Sequence, residues 1–207
     1  TQGLPAFADL IAPSDAPIVE RIRAAGAIPI GRTNLPELGL RITTDNPLHG
    51  LTRNPWHPDR TAGGSSGGEG SAIASGMSPL GLGNDIGGSL RNPAFCCGIT
   101  SIKPTHGRLP WYSAFEHDQN PPLAFQLMAT DGPMARSVAD LRTAMEILQG
   151  RDPRDPRSVT IPLDGPPLGR PGVPRRAAVL RSAPETEPHP SVVDGVDRAA
   201  AAMAAAG

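Results

Sequence analysis

Two glycine-rich turns that each carry serine constrain the fold of this chain more than any other feature. Within residues 61–91 they read GGSSGG at positions 63–68 and GGS at positions 87–89. Glycine at this density is costly, because it loses more backbone freedom on folding than any other residue. Such turns are typical of sites where backbone N–H groups approach a ligand closely or where φ is positive. The sequence therefore predicts a site built from hydroxyl groups and backbone hydrogen-bond donors.

The spacing of the turns excludes the common phosphate-binding motifs. A Walker loop needs G-x-x-x-x-G-K-[ST], but the single lysine of the sequence, Lys103, follows neither turn. GGSSGG also departs from the G-x-G-x-x-G spacing, and no acidic residue stands at a suitable distance beyond it. Phosphate binding is therefore not favoured.

A serine nucleophile fits the second turn better. Gly87 and Gly88 directly precede Ser89, so several N–H groups can converge on one oxygen beside the hydroxyl. The chain around Ser89 reads GGSLR, which does not match the G-x-S-x-G elbow of the hydrolase fold. The five histidines suggest no Ser-His-Asp order. The pattern favours a serine that is activated by a group other than histidine.

The segment from Gly63 to Thr105 resembles the signature region of the amidase signature family of serine amidohydrolases. The matching stretches are GGSSGGEG, PLGLGNDIGGSLRNPAFCCGI and KPTHGRLP, with GRTNLPELG and GLTRNPWHP before them and GPMARSVADL after them. The resemblance covers most of residues 12–150. The separation of Ser65 and Ser89 by 24 residues makes it specific.

The resemblance implies a role for each part of the two turns. Ser89 would be the nucleophile that is acylated, and Ser65, which follows a non-proline cis peptide bond, would bridge it to a lysine. The oxyanion hole would be formed by the N–H groups of Ile86, Gly87, Gly88 and Ser89. Supporting roles would fall to Ser66, Asp85 and Arg91, and the acyl pocket would be bordered by Gly39, Leu40 and Arg41.

The lysine of the implied triad has no counterpart in this sequence. In the family it precedes the bridging serine by more than the 64 residues that stand before Ser65, and none of these is lysine. Arg32 cannot replace it, because a guanidinium stays protonated and cannot act as a base. Lys103 follows the nucleophile and is interpreted as structural. We therefore expect an internal piece of a longer protein, inactive or very weak by itself.

The implied function is hydrolysis of the C–N bond of a small-molecule carboxylic amide, with no metal or organic cofactor. Two alternatives stay open: a catalytically inactive amidase-like scaffold, which the missing lysine favours, and the glutaminase component of an amidotransferase. A third alternative is a disordered linker, since the chain holds 24 glycines and 25 prolines. The periodic segments argue against disorder.

Charge and cysteine content narrow the expected partners. The formal net charge is −1, from 19 basic and 20 acidic side chains, which indicates neither a nucleic-acid nor a membrane-surface partner. No apolar run is long enough to span a bilayer, and no signal peptide is recognisable. Cys96 and Cys97 are adjacent, so they lack disulfide or metal-ligand spacing and are interpreted as small buried residues in a reducing compartment. We expect a cytoplasmic protein and leave a homodimer open.

The fold class implied is α/β: the amidase-signature fold, with a mixed central β-sheet flanked by helices on both faces, here in part. Residues 1–207 are expected to belong to one domain. Within it, residues 27–150 form the signature core, residues 151–175 a surface connection, and residues 176–207 a strand and helix of an incomplete C-terminal part.

Hydrophobic periodicity and capping signals predict the individual elements. Helices are expected at residues 14–25, 69–75, from 92 onward, 137–149 and 190–206, with a helical turn at 33–39 and a Ser137–Asp140 capping box. Strands are expected at residues 27–31, 80–83, 98–104 and 176–181. Residues 112–128 are expected to form a loop in which Glu116, His117 and Asp118 are solvated rather than metal-binding. Trp56 is interpreted as a packing anchor.

Overall fold

The structure is a computed structural model, and it describes residues 1–112, 122–163 and 177–205. The chain divides into two compact units, Thr1–Leu163 and Asp164–Gly207. Both serine turns lie in the first unit. The predicted membership of residues 1–207 in one domain stays a prediction.

A three-stranded antiparallel sheet forms the frame of the first unit. Its strands are β1 (Leu80–Asp85), β2 (Thr100–Ser101) and β3 (Thr130–Ala135), in the order β1-β3-β2. β1 pairs with β3 over its whole length, from Leu80 opposite Ala135 to Asp85 opposite Thr130. Because β1 ends at Asp85, the sheet fixes the start of the glycine loop that carries Ser89.

The described residues of the first unit form five α-helices. They are α1 (Pro17–Ala24), α2 (Gly67–Ala74), α3 (Arg91–Cys97), α4 (Leu123–Met128) and α5 (Val138–Leu148), with short 3-10 turns at Pro5–Phe7 and Glu37–Gly39. The hydroxyl of Ser137 accepts a hydrogen bond from the N–H of Asp140, which confirms the predicted cap of α5. Helix α2 begins within the first serine turn, at Gly67, and α3 begins two residues after Ser89.

Two apolar clusters hold these elements together. The first packs α1 against α5 and contains Ile18, Ile22, Leu109, Ala144, Met145 and Leu148. The second contains Ile73 of α2, Leu90 and Met134 of β3. Leu90 directly follows Ser89 and is fully buried. The second cluster therefore anchors the loop that carries the predicted nucleophile.

The α/β class is confirmed, and three details of the predicted sheet are corrected. Among the described residues the sheet is antiparallel rather than mixed. The strand predicted at residues 27–31 is wrong: Ile28 and Ile30 are 83% and 74% exposed, and no described strand pairs with them. An apolar run alone does not form a strand, because its backbone needs a neighbour to hydrogen-bond with. The strand predicted at 98–104 is shortened to Thr100–Ser101.

The predictions for residues 112–128 and for the C-terminal residues 176–207 are confirmed only in part. Helix α4 lies at Leu123–Met128, where a loop was expected, and the acidic and histidine cluster at positions 116–118 lies outside the described residues. In the second unit, helix α6 (Pro190–Ala205) confirms the Ala-rich helix, and an ion pair of 2.6 Å joins Arg181 to Asp197. Residues 177–181 form no strand, so that prediction fails in the described part of the segment.

Candidate active site

The peptide bond between Gly64 and Ser65 in the first serine turn is cis, as the resemblance implies, and it precedes α2. Ser65 is buried, and the side chain of Thr44, which is also buried, hydrogen-bonds to the backbone of the turn. The Thr44 hydroxyl lies 2.9 Å from the carbonyl oxygen of Gly63 and 3.3 Å from that of Ser65, and it accepts the N–H of Gly67 at 3.1 Å. One threonine therefore fixes both sides of the turn.

Steric contact explains the paired glycines of this turn. Gly63 has φ of +79°, and a Cβ there would lie 2.8 Å from Cα of Pro93. A Cβ at Gly64 would lie 2.7 Å from the carbonyl oxygen of Arg41. Real Cβ atoms do not approach backbone this closely, so both positions require glycine.

Asp85 organises the second turn from the end of β1. Its carboxylate is fully buried and accepts the backbone N–H of Gly88 at 2.8 Å and that of Leu90 at 3.1 Å. The guanidinium of Arg91 donates to both carboxylate oxygens, from Nε at 3.0 Å and from Nη2 at 2.9 Å. These contacts join Asp85 and Arg91, which stand at the two ends of the Ser89 loop, to each other and to the loop backbone.

The ionisation of Asp85 follows from these contacts. Burial alone would raise the pKa of its carboxyl, but the hydrogen bonds from Arg91, Leu90 and Gly88 outweigh burial and hold the pKa below its ordinary value. The carboxylate therefore stays charged and keeps accepting from the loop. The same pair raises the pKa of Arg91.

The backbone donors of the loop divide into two groups. The N–H of Gly88 is already used by Asp85, and Gly88 has φ of +133°. Within the part of the chain that the structure describes, the N–H groups of Ile86, Gly87 and Ser89 make no hydrogen bond. A Cβ at Gly87 would meet no atom within 4 Å, so open space borders this side of the loop.

The two turns touch each other directly. The N–H of Ser66 donates to the carbonyl oxygen of Ser89 at 3.2 Å. The hydroxyl of Ser66 lies over Gly83 of β1, where a Cβ would come within 2.6 Å of it. Ser66 therefore hydrogen-bonds to the Ser89 loop and lies close to β1, and its supporting role stays a prediction.

One of the predicted pocket residues lies beside Ser65. A Cβ at Gly39, where φ is +71°, would lie 3.4 Å from the Ser65 hydroxyl oxygen. Leu40 follows with an exposed side chain, and the carbonyl of Arg41 contacts Gly64. The backbone of residues 39–41 thus runs along the first turn.

Lys103 and Trp56 each donate a hydrogen bond to a backbone carbonyl outside the two serine turns. The ammonium group of Lys103 donates to the carbonyl of Met128 at 3.1 Å and to the hydroxyl of Thr130 at 3.2 Å, in keeping with its structural interpretation. The indole N–H of Trp56 donates to the carbonyl of Cys97 at 2.7 Å, but its side chain is 70% exposed. Trp56 is therefore held by a hydrogen bond rather than buried as a packing anchor.

The cysteines are both free, and burial raises the pKa of each thiol, that of Cys97 to about 11. The described ranges contain no group of three or more His, Cys, Asp or Glu side chains placed to hold a metal ion. They also contain no helix that is both long and apolar enough to cross a membrane.

Sequence reasoning missed Thr44 and Asn92, which both contact the serine turns. Thr44 lies in RITTDN, which carries no motif, and Asn92 lies in SLRNP, within a stretch that matches the amidase signature but in which no role was assigned to this position. Asn92 donates through Nδ2 to the carbonyl of Gly64 at 3.2 Å. Their roles arise from tertiary contacts between segments distant in sequence.

Comparisons with known proteins agree with this geometry. The amidase family profile matches residues 1–207. An indoleacetamide hydrolase of Bradyrhizobium diazoefficiens is 52% identical over 96% of this chain and 37% of its own length. A glutamyl-tRNA(Gln) amidotransferase component of Chloroflexus aurantiacus is 40% identical over 80% of this chain and 32% of its own length. The structure of 6-aminohexanoate cyclic dimer hydrolase complexed with substrate superposes with a TM-score of 0.78 at 36% identity, over 93% of this chain and 40% of that one.

The fold is that of amidase-signature enzymes. The family match spans the whole sequence, so the chain belongs to the amidase family. It spans only about two fifths of the length of the relatives that it matches.

Proposed function

We propose that this chain carries the serine nucleophile and the bridging serine of an amidase that cleaves carboxylic amides through an acyl-enzyme. The observation that carries the proposal is the contact of the two turns, in which the N–H of Ser66 donates to the carbonyl of Ser89 at 3.2 Å. This contact brings the buried Ser65 turn against the loop that carries Ser89. Family membership supports the same assignment.

The proposed mechanism is a proton relay without histidine. A neutral lysine from outside this chain takes the proton of the Ser65 hydroxyl, and Ser65 takes that of Ser89. The Ser89 oxygen then attacks the amide carbon, and the C–N bond breaks as the relay returns a proton to the leaving amine or ammonia. Water hydrolyses the ester on Ser89 and regenerates the free serine. The mechanism requires no metal or organic cofactor.

The oxyanion in this proposal is held by the N–H groups of Ile86, Gly87 and Ser89. Gly88, which the resemblance also implicates, donates to Asp85, so we assign it to holding the loop in shape. One well-placed donor of this kind contributes about 3–4 kcal/mol to lowering the barrier. Asp85 and Arg91 act here by keeping the donors oriented before the substrate arrives.

For the substrate, we propose a small primary amide of the indoleacetamide type. The support is the higher identity to indoleacetamide hydrolase, 52% against 40% for the amidotransferase component. The amidotransferase alternative rests on that second relative and predicts ammonia release from glutamine that depends on a partner protein. Gly39, Leu40 and Arg41 would border the acyl group, because Gly39 adjoins the Ser65 hydroxyl.

Other parts of the proposal concern the setting of the protein. We propose a cytoplasmic enzyme, supported by the two free cysteines, and no nucleic-acid partner, supported by the net charge of −1. Residues 1–207 alone would be inactive or very weak, because the chain supplies no lysine upstream of Ser65. A homodimer stays an open prediction.

Labelling with a fluorophosphonate, followed by peptide mass mapping, tests the nucleophile. The reagent is applied to the intact protein that contains this chain, to residues 1–207 alone, and to Ser89→Ala and Ser65→Ala variants. Ser75→Ala is the matched control, because Ser75 is an exposed serine at the end of α2. We expect label on Ser89 in the intact protein and in the control. Label should be absent from Ser89→Ala and slowed about 10²–10⁴-fold in Ser65→Ala.

The other outcomes are equally informative. No label on Ser89 in the intact protein would overturn the proposal in favour of a non-catalytic scaffold. Equal labelling of residues 1–207 alone would contradict the need for a lysine from elsewhere. Ammonia release from indoleacetamide, but not from glutamine with or without added partner proteins, would separate the two substrate classes.

A further inference from the structure

We infer that Asn92 is a positioning residue that fixes the Ser65 turn relative to the Ser89 loop. The inference rests on the proposed function, because it concerns the spacing of the two serines in the relay. Asn92 is the second residue of α3, which begins two residues after Ser89. The resemblance to the amidase signature assigns no role to this position.

The side chain of Asn92 reaches the first turn. Its Nδ2 donates to the carbonyl oxygen of Gly64 at 3.2 Å, which belongs to the peptide that leads into Ser65. The same nitrogen donates to the carbonyl of Ile42 at 3.1 Å, on the segment that packs against Gly64. Both hydrogens of the amide are therefore used on the two stretches of backbone that enclose Ser65.

The backbone of Asn92 reaches the second turn. Its N–H donates to the carbonyl of Gly88 at 2.7 Å, one residue before Ser89. The neighbouring Pro93 adds a steric contact, because its Cα is the atom that a Cβ at Gly63 would strike. Two adjacent residues at the start of α3 thus contact both turns.

The oxygen of the Asn92 side-chain amide also has a hydrogen-bond partner. Its Oδ1 accepts from the Cys96 thiol at 3.5 Å, one helical turn further along α3. With oxygen and nitrogen both satisfied, the side chain is held in one orientation. Asn92 therefore links the two predicted catalytic serines without contacting the reacting atoms.

Replacing Asn92 separates this positioning role from general stability. Asn92→Ala removes the link, and Asn92→Asp keeps the shape but replaces Nδ2 with a carboxylate oxygen that faces two carbonyl oxygens. Asn54→Ala is the matched control, because Asn54 also donates through Nδ2 to two carbonyls, of Thr61 at 3.0 Å and Cys96 at 2.7 Å. Asn54 is more deeply buried than Asn92, and neither of its acceptors belongs to the two serine turns.

The measurements are the fluorophosphonate labelling rate of Ser89, kcat, KM and the thermal midpoint, all on the intact protein. We expect Asn92→Ala to slow labelling and kcat by about 10–100-fold, because misplacement of reacting groups by about 1 Å has a cost of this size. Asn92→Asp should be slower still. KM should change much less than kcat, since substrate contacts are untouched. Asn54→Ala should lower the midpoint at least as much as Asn92→Ala but leave labelling closer to wild type.

Three results would overturn the inference. Labelling of Asn92→Ala at the wild-type rate would remove Asn92 from the relay and leave the proposed function intact. Labelling that falls in proportion to the thermal midpoint, alike in the Asn92 and Asn54 variants, would make Asn92 merely structural. Absence of label on Ser89 in the wild-type protein would overturn both the proposed function and this inference.

Discussion

Asp85 and Arg91 form a two-point ion pair in which the carboxylate is fully buried while the guanidinium is 56% exposed. The pair joins the end of β1 to the first residue of α3, and the loop with Ser89 lies between them. The buried partner also accepts two backbone N–H groups of that loop. Asp85 therefore stabilises the conformation of the loop mainly through its hydrogen bonds to the loop backbone, and less through its ion pair with the exposed Arg91.

We predict that Asp85→Ala destabilises the protein far more than Arg91→Lys. The first variant leaves the N–H groups of Gly88 and Leu90 without their acceptor, and each orphaned buried group costs about 1–3 kcal/mol. The second keeps a cation beside the carboxylate and loses only the two-point geometry. Urea unfolding of the intact protein measures the difference. Equal free energies of unfolding for the two variants would contradict this account of the loop.

The same pair predicts a response to acid. Because the folded pKa of Asp85 lies below its ordinary value of 3.8, its contribution to stability is complete above that value. The contribution is lost as the pH falls through the folded pKa, when the carboxylate is protonated. The thermal midpoint, measured from about pH 5 down to about pH 2, should therefore fall more steeply below about pH 4 in the wild type than in Asp85→Asn. Parallel curves would show that Asp85 does not drive the acid response.

A second carboxyl, that of Asp131, has the opposite effect. Burial raises its pKa to about 6, against the hydrogen bond from Asn84 at 2.7 Å, with Asp155 adding to the rise. A raised pKa means that the folded protein binds the proton more tightly. The carboxyl therefore costs stability as the pH rises from about 4 through 6, on the order of 2–3 kcal/mol at neutral pH.

We predict from this that Asp131→Asn raises the thermal midpoint at pH 7.5 and has little effect near pH 4. The asparagine retains an oxygen for Asn84 and carries no charge to bury. Asp59→Asn is the control, because Asp59 is exposed and its substitution should leave the midpoint unchanged at both values. A gain from Asp131→Asn that is the same at both pH values would show that charge burial is not its cause.

The sequence was sufficient to predict the structural features that depend on residues close together in the chain. The Ser137–Asp140 cap and the positive φ of Gly63 in the first glycine turn follow from residue types and spacing. The strand expected at residues 27–31 failed, because an apolar run does not reveal whether a partner strand is present. The roles of Thr44 and Asn92 could not be predicted, because each residue contacts a turn about 20–30 residues away in the sequence. The resemblance also did not distinguish the N–H of Gly88, which donates to Asp85, from the other N–H groups of the loop.

The glycines of the two turns should respond differently to substitution. At Gly64 a methyl group would strike the backbone of Arg41 and Ile42, which cannot yield as a flexible side chain can. At Gly87 it would meet open space at an ordinary φ. We therefore predict that Gly64→Ala prevents folding or lowers the thermal midpoint sharply, whereas Gly87→Ala folds with a change of stability within about 1 kcal/mol. Circular dichroism melts of both variants of the intact protein make the comparison. A Gly64→Ala protein as stable as Gly87→Ala would mean that the first turn is not held against residues 41–43 as described, and the enclosure of Ser65 would have to be redrawn.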